Sequence, residues 1–86
     1  MTVHIPSALW SYTGQQRELQ AEGRTVGDTL TAVEARYPGL RFRIVTEQDE
    51  IRPHIRIFVN GEQARDLAAE VRTDDHLYIV CALSGG

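Results

Sequence analysis

One segment of this sequence predicts a helix more clearly than any other, and it limits what the rest can form. Four apolar residues recur at intervals of four, three and four positions, as one stripe of an α-helix does: Val26, Leu30, Val33 and Tyr37. Thr25, with Asp28 three residues later, is typical of a helix start, and Pro38-Gly39 ends the pattern. A helix with one apolar face needs a second layer to cover that face.

Short alternating segments supply that second layer. Thr2–Ile5 and Arg17–Ala21 alternate apolar and polar residues and predict a hairpin with a long connection. Ile55–Val59 predicts a strand that ends at the turn pair Asn60-Gly61, and His76–Ala82 predicts the final strand.

Two segments lack a clear pattern. Residues 63–70 are short and ambiguous and favour a brief strand followed by a helical turn, whereas residues 41–53 are charged and irregular and predict a mobile loop. The element order therefore predicts an α+β fold, in which a mixed sheet of four or five strands carries one main helix on one face. We expect the domain over residues 1–82 and a flexible tail over residues 83–86.

Composition and charge argue against several classes of protein. The 86 residues have room for one small core, and 42% apolar with 24% charged residues is usual for a globular domain. A net charge of −3 argues against nucleic-acid binding, which needs a clustered basic surface. No apolar run approaches the roughly 20 residues of a membrane span. Cys81 is the one cysteine, and with no apolar signal segment this predicts a reducing, cytoplasmic location.

The basic side chains are all arginines. Nine arginines account for the whole Lys+Arg count, so the sequence contains no lysine. A chain without a lysine ε-amine can accept an acyl group from another copy only at its N-terminal amine. Lysine-linked chains of this protein are therefore excluded.

The sequence ends in Gly85-Gly86, shortly after the final predicted strand. Glycines add nothing to a core and lose more backbone freedom on ordering than any other residue, so the pair is not expected to stabilise the fold. A carboxylate carried on two residues without side chains can, however, enter a narrow channel and lie beside a nucleotide phosphate. If the strand ends at Cys81, the five residues beyond it reach at most roughly 17 Å.

Several short motifs occur in a fixed order along the chain: Ile5-Pro6, Tyr12-Thr13-Gly14, Thr25-Val26-Gly27-Asp28, Tyr37-Pro38-Gly39-Leu40, Arg52-Pro53-His54, Phe58-Val59-Asn60-Gly61-Glu62 and Gly85-Gly86. In this order and spacing they resemble the ubiquitin-like sulfur carriers of the MoaD/ThiS family, over essentially the whole chain. The length and residues 41–53 are most similar to the molybdopterin-synthase small subunit and the cysteine-biosynthesis carriers. The resemblance implies a β-grasp fold.

The resemblance also implies a chemistry centred on Gly86. An E1-like adenylyltransferase, using ATP and magnesium, would convert its carboxylate to an acyl-adenylate, and a persulfide or sulfide donor would displace AMP to leave a thiocarboxylate. A sulfur-accepting synthase would then take the sulfur. Catalytic groups, ATP site and metal would belong to these partners, so the chain is expected to be a carrier without a bound cofactor and not an enzyme. The residues that precede Gly86 in the tail are Leu83, Ser84 and Gly85.

Strand alternation predicts one exposed apolar patch. It points five residues toward the helix: Ile55, Ile57, Val59, Leu77 and Ile79. Phe58, Tyr78 and Val80 then face the other way and form a patch if their strands are neighbours. An uncovered sheet face that carries aromatic residues invites association, so we expect a partner to dock there.

The other reactive side chains fit structural roles better. A nucleophilic cysteine needs a base, and the histidine nearest to Cys81 in sequence, His76, is expected to point to the opposite sheet face. A small buried filler is therefore favoured over a nucleophile or a persulfide carrier. His4, His54 and His76 lack metal-site spacing and are expected on the surface or in turns. Glu47–Glu50 lacks the glycine and the spaced ligands of a calcium loop and is expected to be a solvated loop.

Three functions stay open at this stage. The chain is a sulfur carrier, a ubiquitin-like modifier joined through Gly86 to lysines of other proteins, or an interaction module in which the glycines are incidental. The first two share the activation step, so the sequence does not separate them. The sulfur's destination is equally open among molybdopterin, thiamine, cysteine, a thiolated tRNA base and a secondary metabolite.

Overall fold

The computed structural model describes residues 1–81 and contains one five-stranded sheet. Its elements are the strands β1 (Thr2–His4), β2 (Glu18–Gln20), β3 (Ile55–Val59), β4 (Glu62–Ala64) and β5 (His76–Cys81), the helices α1 (Val26–Arg36) and α2 (Leu40–Ile44), and a 3-10 helix (Ser7–Thr13). The strand order across the sheet is β2-β1-β5-β3-β4. β1 runs parallel to β5 and the other neighbouring pairs are antiparallel, so the sheet is mixed, as predicted.

The main helix begins and ends where the sequence pattern indicates. The Thr25 hydroxyl accepts a hydrogen bond from the backbone N–H of Asp28 at 3.1 Å, which satisfies one of the unpaired donors of the first turn. The helix ends at Arg36, ahead of Pro38. Three residues of the predicted stripe are at most 2% exposed: Val26, Leu30 and Val33.

One face of the sheet packs against α1 and forms the core. Strand residues on that face are at most 3% exposed: Val3, Leu19, Ile55, Ile57, Leu77 and Ile79. Val59, also predicted to face the core, is half-buried and packs against it. The residues that alternate with these lie on the opposite face, which no helix covers in the part of the chain that the structure describes. This arrangement is the β-grasp, or ubiquitin-like, fold.

Glu47–Glu50 lie in an exposed turn, as expected, but the prediction of a mobile loop over the whole of residues 41–53 was wrong. Its first part is helix α2, and beyond it Val45 forms a bridge with Ile51. Leu40, Ile44 and Val45 are each 0% exposed, so the segment is anchored in the core. Leu40 and Ile44 are four residues apart, which is the spacing of one helical face. Arg41 and Arg43 between them made the segment resemble a charged loop.

A carboxylate on α1 fixes the start of this segment. Glu34 accepts hydrogen bonds from the backbone N–H groups of Gly39 and Arg41, both at 2.8 Å. Gly39 has a φ of 97°, a left-handed conformation that favours glycine. The far turn is closed by Thr46, whose hydroxyl accepts from the backbone N–H of Glu50 at 3.2 Å.

The connection between β1 and β2 is a folded turn and not an open loop. The Trp10 indole donates to the carbonyl of Ile5 at 2.7 Å, and the buried Thr13 hydroxyl lies 2.8 Å from the carbonyl oxygen of Gln16. Gly14 ends the 3-10 helix with a φ of 64°. The predicted hairpin is confirmed, because Val3 and Leu19 are direct partners in the antiparallel pair.

The turn after β3 has the predicted form. Asn60 and Gly61 both adopt positive φ, 51° and 91°, as a tight hairpin turn requires. The brief strand expected next is β4. The helical turn expected after it is absent, because residues 66–68 form a bend and a non-helical turn.

Candidate functional site

The face of the sheet opposite α1 carries the predicted apolar patch, which we call the docking patch (Phe58, Tyr78 and Val80). Phe58 is the direct partner of Tyr78 in the antiparallel pair of β3 and β5, and Arg56 is the partner of Val80. Tyr78 is 40% exposed and Val80 is 42% exposed, whereas Phe58 is half-buried. The strands are therefore neighbours, as the patch required, and its role in docking stays a prediction.

Two of the three docking-patch residues, Tyr78 and Val80, lie on β5, the last strand that the structure describes. Val80 immediately precedes Cys81, the last residue that the structure describes. The predicted site residues of the tail lie outside the described residues: Leu83, Ser84, Gly85 and Gly86.

Cys81 is half-buried, packs against the core and is the register partner of Ile55. Burial raises the pKa of its thiol, so the unreactive protonated form is favoured at neutral pH. This agrees with the expectation of a filler, although the side chain is less buried than expected.

A hydrogen-bonded pair fixes the beginning of β5 relative to the end of β3. Asn60 donates from its side-chain amide to Asp75 at 2.7 Å and accepts from the backbone N–H of His76 at 2.9 Å. Asp75 also accepts from the backbone N–H of Arg72 at 2.8 Å. The hydrogen bond from Asn60, followed by that from Arg72, lowers the pKa of Asp75. These contacts hold the register that places Phe58 opposite Tyr78.

The structure brings together residues that the sequence analysis kept apart. His4 stacks on Tyr78 with ring centroids 4.1 Å apart and planes 4° apart, and its Nε2 lies 2.9 Å from Nδ1 of His76. On its other side, Nδ1 of His4 lies 3.5 Å from a carboxylate oxygen of Glu18. The two histidines are far apart in sequence but close in space, because β1 and β5 are parallel neighbours that pair His4 with Tyr78. His76 is exposed, as expected, and His4 is half-buried. His54 lies in a turn, as expected.

Within residues 1–81, no group of three or more histidine, cysteine, aspartate or glutamate residues is placed to hold a metal ion. None of the described helices has the length and apolar character needed to cross a membrane.

Comparison with known proteins decides the family. The family model described as the ThiS family matches residues 3–86. The chain belongs to the ThiS family. The match covers nearly the whole chain and includes the glycine pair, and it confirms the resemblance that the ordered motifs indicated.

Similar proteins include carriers and modifiers. The ThiS-family chain is 33% identical to the sulfur carrier protein CysO of Mycobacterium tuberculosis, over 100% of this chain and 98% of that protein. A chain in the crystal structure of the Amycolatopsis orientalis BexX/CysO complex matches with a TM-score of 0.93 and 38% identity, covering 99% of this chain and 98% of that one. Small archaeal modifier protein 1 of Haloferax volcanii is 36% identical over 62 residues, which span 72% of this chain and 70% of that protein.

Proposed function

We propose that this ThiS-family chain is a sulfur carrier that works through the carboxyl group of Gly86. The observation that carries the proposal is the family match, which continues to residue 86 on a β-grasp body. Full-length similarity to the sulfur carrier protein CysO supports it. The described body fits this role, because its last strand, β5, carries the exposed Tyr78 and Val80 of the docking patch.

The chemistry begins with activation, because a carboxylate has no good leaving group. A Gly86 carboxylate oxygen attacks the α-phosphorus of ATP, pyrophosphate leaves, and an acyl-adenylate forms. Hydrosulfide then adds to the acyl carbon and AMP leaves with the former carboxylate oxygen, which produces the thiocarboxylate. With a persulfide donor, the same displacement produces an acyl disulfide, which a thiol reduces to the thiocarboxylate. The sulfur replaces one carboxylate oxygen in either case.

The partners supply the catalytic groups, and this chain acts as their cosubstrate and not as an enzyme. We propose an E1-like adenylyltransferase that holds ATP and magnesium, a sulfur donor and a sulfur-accepting synthase, all in the cytoplasm. The docking patch is the surface through which the body binds the adenylyltransferase. Partner binding is supported by the similar chain of the BexX/CysO complex.

Among the destinations left open by the sequence, we propose the synthesis of cysteine or a related metabolite. The support is similarity over nearly full length to two carriers named CysO, from Mycobacterium tuberculosis and from the Amycolatopsis orientalis complex.

Activation is tested by ATP–pyrophosphate exchange with the cognate adenylyltransferase. Wild-type chain is expected to support exchange, and a chain with Gly86 deleted is expected to support none. A deletion variant that exchanges as well as wild type would contradict the role of Gly86. A known carrier of that enzyme serves as the positive control.

A second function, protein modification through Gly86, is favoured by the similarity to small archaeal modifier protein 1. It predicts a set of larger adducts in cell extract that disappears when Gly86 is deleted. A single free band in both extracts counts against it. Because the sequence has no lysine, any such adducts carry this chain as single units and not as lysine-linked chains.

A further inference from the structure

Three neighbouring strands place a row of ionisable side chains on the open face of the sheet. His4 of β1 is the direct register partner of Glu18 on β2 and of Tyr78 on β5. His76 lies two residues before Tyr78 on the same face of β5, and its Nδ1 is 2.9 Å from Nε2 of His4. The sulfur-carrier function proposed above uses neither histidine.

The contacts around His4 determine which nitrogens carry protons. Two imidazole nitrogens 2.9 Å apart share one hydrogen, so one of them presents a lone pair to the other. The Glu18 carboxylate, 3.5 Å from Nδ1 of His4, favours a proton on that nitrogen. Nε2 of His4 is then the acceptor and Nδ1 of His76 is the donor.

We propose that His4 and His76 bind one divalent transition-metal ion of the Zn²⁺ class between Nε2 of His4 and Nδ1 of His76. Tetrahedral Zn²⁺ with Zn–N bonds of about 2.0–2.1 Å holds two ligand nitrogens about 3.3–3.4 Å apart. The observed separation is 2.9 Å, so the two nitrogens need to part by about half an ångström, and each ring needs to turn by about 35° so that both lone pairs point at the ion. His76 binds the ion in its other tautomer, with its proton moved through solvent from Nδ1 to Nε2.

The surroundings of His4 orient it as a ligand. A carboxylate beside the distal nitrogen of a ligating histidine fixes its tautomer and its ring orientation, which is the position of Glu18. The Tyr78 ring stacks on His4 with planes 4° apart and restricts its rotation. Less rotamer entropy is therefore lost when the ion binds.

The ligand set selects the class of ion. Imidazole suits Zn²⁺, Cu²⁺ and Ni²⁺, whereas Mg²⁺ and Ca²⁺ prefer oxygen ligands. Two histidines fill two positions of a tetrahedral ion, and the others remain for water or for a ligand from outside the chain. The site is thus an open surface site, distinct from a closed structural one of four protein ligands.

The test is titration of tag-free protein with ZnCl₂ at neutral pH, followed by calorimetry and by NMR of the imidazole nitrogens. Every variant also carries Cys81→Ser, so that no thiolate competes. One ion per chain is expected to bind, with shifts at Nε2 of His4 and Nδ1 of His76. His4→Gln and His76→Gln are each expected to abolish saturable binding. Glu18→Gln is expected to weaken binding by about tenfold.

The third histidine supplies the matched control. His54→Gln is expected to bind Zn²⁺ as the parent does, and circular dichroism with thermal melting verifies that each variant is folded. Absence of saturable binding by the parent, or unchanged binding by either His4→Gln or His76→Gln, would overturn the proposal. No activating enzyme enters the measurement, so its outcome is independent of the sulfur-carrier function.

Discussion

Phe58 and Tyr78 face each other directly across the antiparallel pair of β3 and β5. Their neighbour Val80 is 42% exposed and lies one residue before the end of the described chain. The docking patch is therefore continuous with the strand that leads to Gly86. A partner that covers the patch also lies close to Cys81, the last residue that the structure describes.

The first prediction concerns the affinity of the docking patch for the cognate adenylyltransferase. Tyr78→Ala is expected to raise Kd by about 10- to 100-fold, because truncation of a buried interface aromatic costs about 1–3 kcal/mol. Tyr78 is exposed in the free chain, so the thermal midpoint of the variant should differ little from that of wild type. Calorimetric titration measures Kd, and a melt measures stability.

Phe42 is the matched control for this substitution. It is an exposed aromatic, at 51%, on α2 and outside the sheet. Phe42→Ala is expected to leave Kd unchanged. Equal losses from Phe42→Ala and Tyr78→Ala, or wild-type affinity of the Tyr78 variant, would show that the patch is not the binding surface.

The second prediction concerns the stability that Glu34 contributes by ordering residues 39–41. Glu34→Ala removes the acceptor of two backbone N–H groups and is expected to lower the free energy of unfolding by about 1–2 kcal/mol. Glu34→Gln keeps one oxygen acceptor, so its free energy of unfolding should lie between those of wild type and Glu34→Ala. Urea unfolding measures both, with Glu47→Ala in the exposed turn as the control. A Glu34→Ala chain as stable as wild type would contradict this role.

The third prediction concerns pH and Asp75. Its pKa is lower in the folded chain than in the unfolded chain, because Asn60 and the backbone of Arg72 donate to the carboxylate. The unfolded state therefore binds the proton first as pH falls. The stabilisation from Asp75 is complete above its ordinary pKa and is lost below about pH 4.

Urea midpoints at neutral and acidic pH test this prediction in wild type and in Asp75→Asn. The variant is expected to lose less stability than wild type on acidification. Asp74→Asn controls for the removal of one negative charge nearby. An identical acid dependence in Asp75→Asn and wild type would contradict the account.

Local signals in the sequence were sufficient for much of the fold. Thr25 and the apolar stripe of α1 depend on contacts within a few residues, and so does the turn at Asn60-Gly61. Alternation alone placed Phe58 and Tyr78 on one face of the sheet. The family followed from the order of short motifs, which the full-length match confirmed.

The missed features depend on contacts that are remote in sequence. Helix α2 has only five residues, and it is anchored by burial of Leu40 and Ile44 in the core, where it packs against α1 and the 3-10 helix near the N-terminus. The contact between His4 and His76 spans 72 positions and exists only because β1 and β5 pair in parallel. Neither feature has a local pattern that distinguishes it from a charged loop or a lone surface histidine.

Conversion of Gly86 to a thiocarboxylate is measured by the intact mass of the chain after incubation with its cognate adenylyltransferase, ATP, magnesium and sulfide. Wild type is expected to exchange one oxygen for one sulfur, and the change is expected in the terminal fragment that contains Gly86. A chain with one alanine added after Gly86 should keep its mass. An unchanged wild-type mass, in a reaction where a known carrier is converted, would contradict the account.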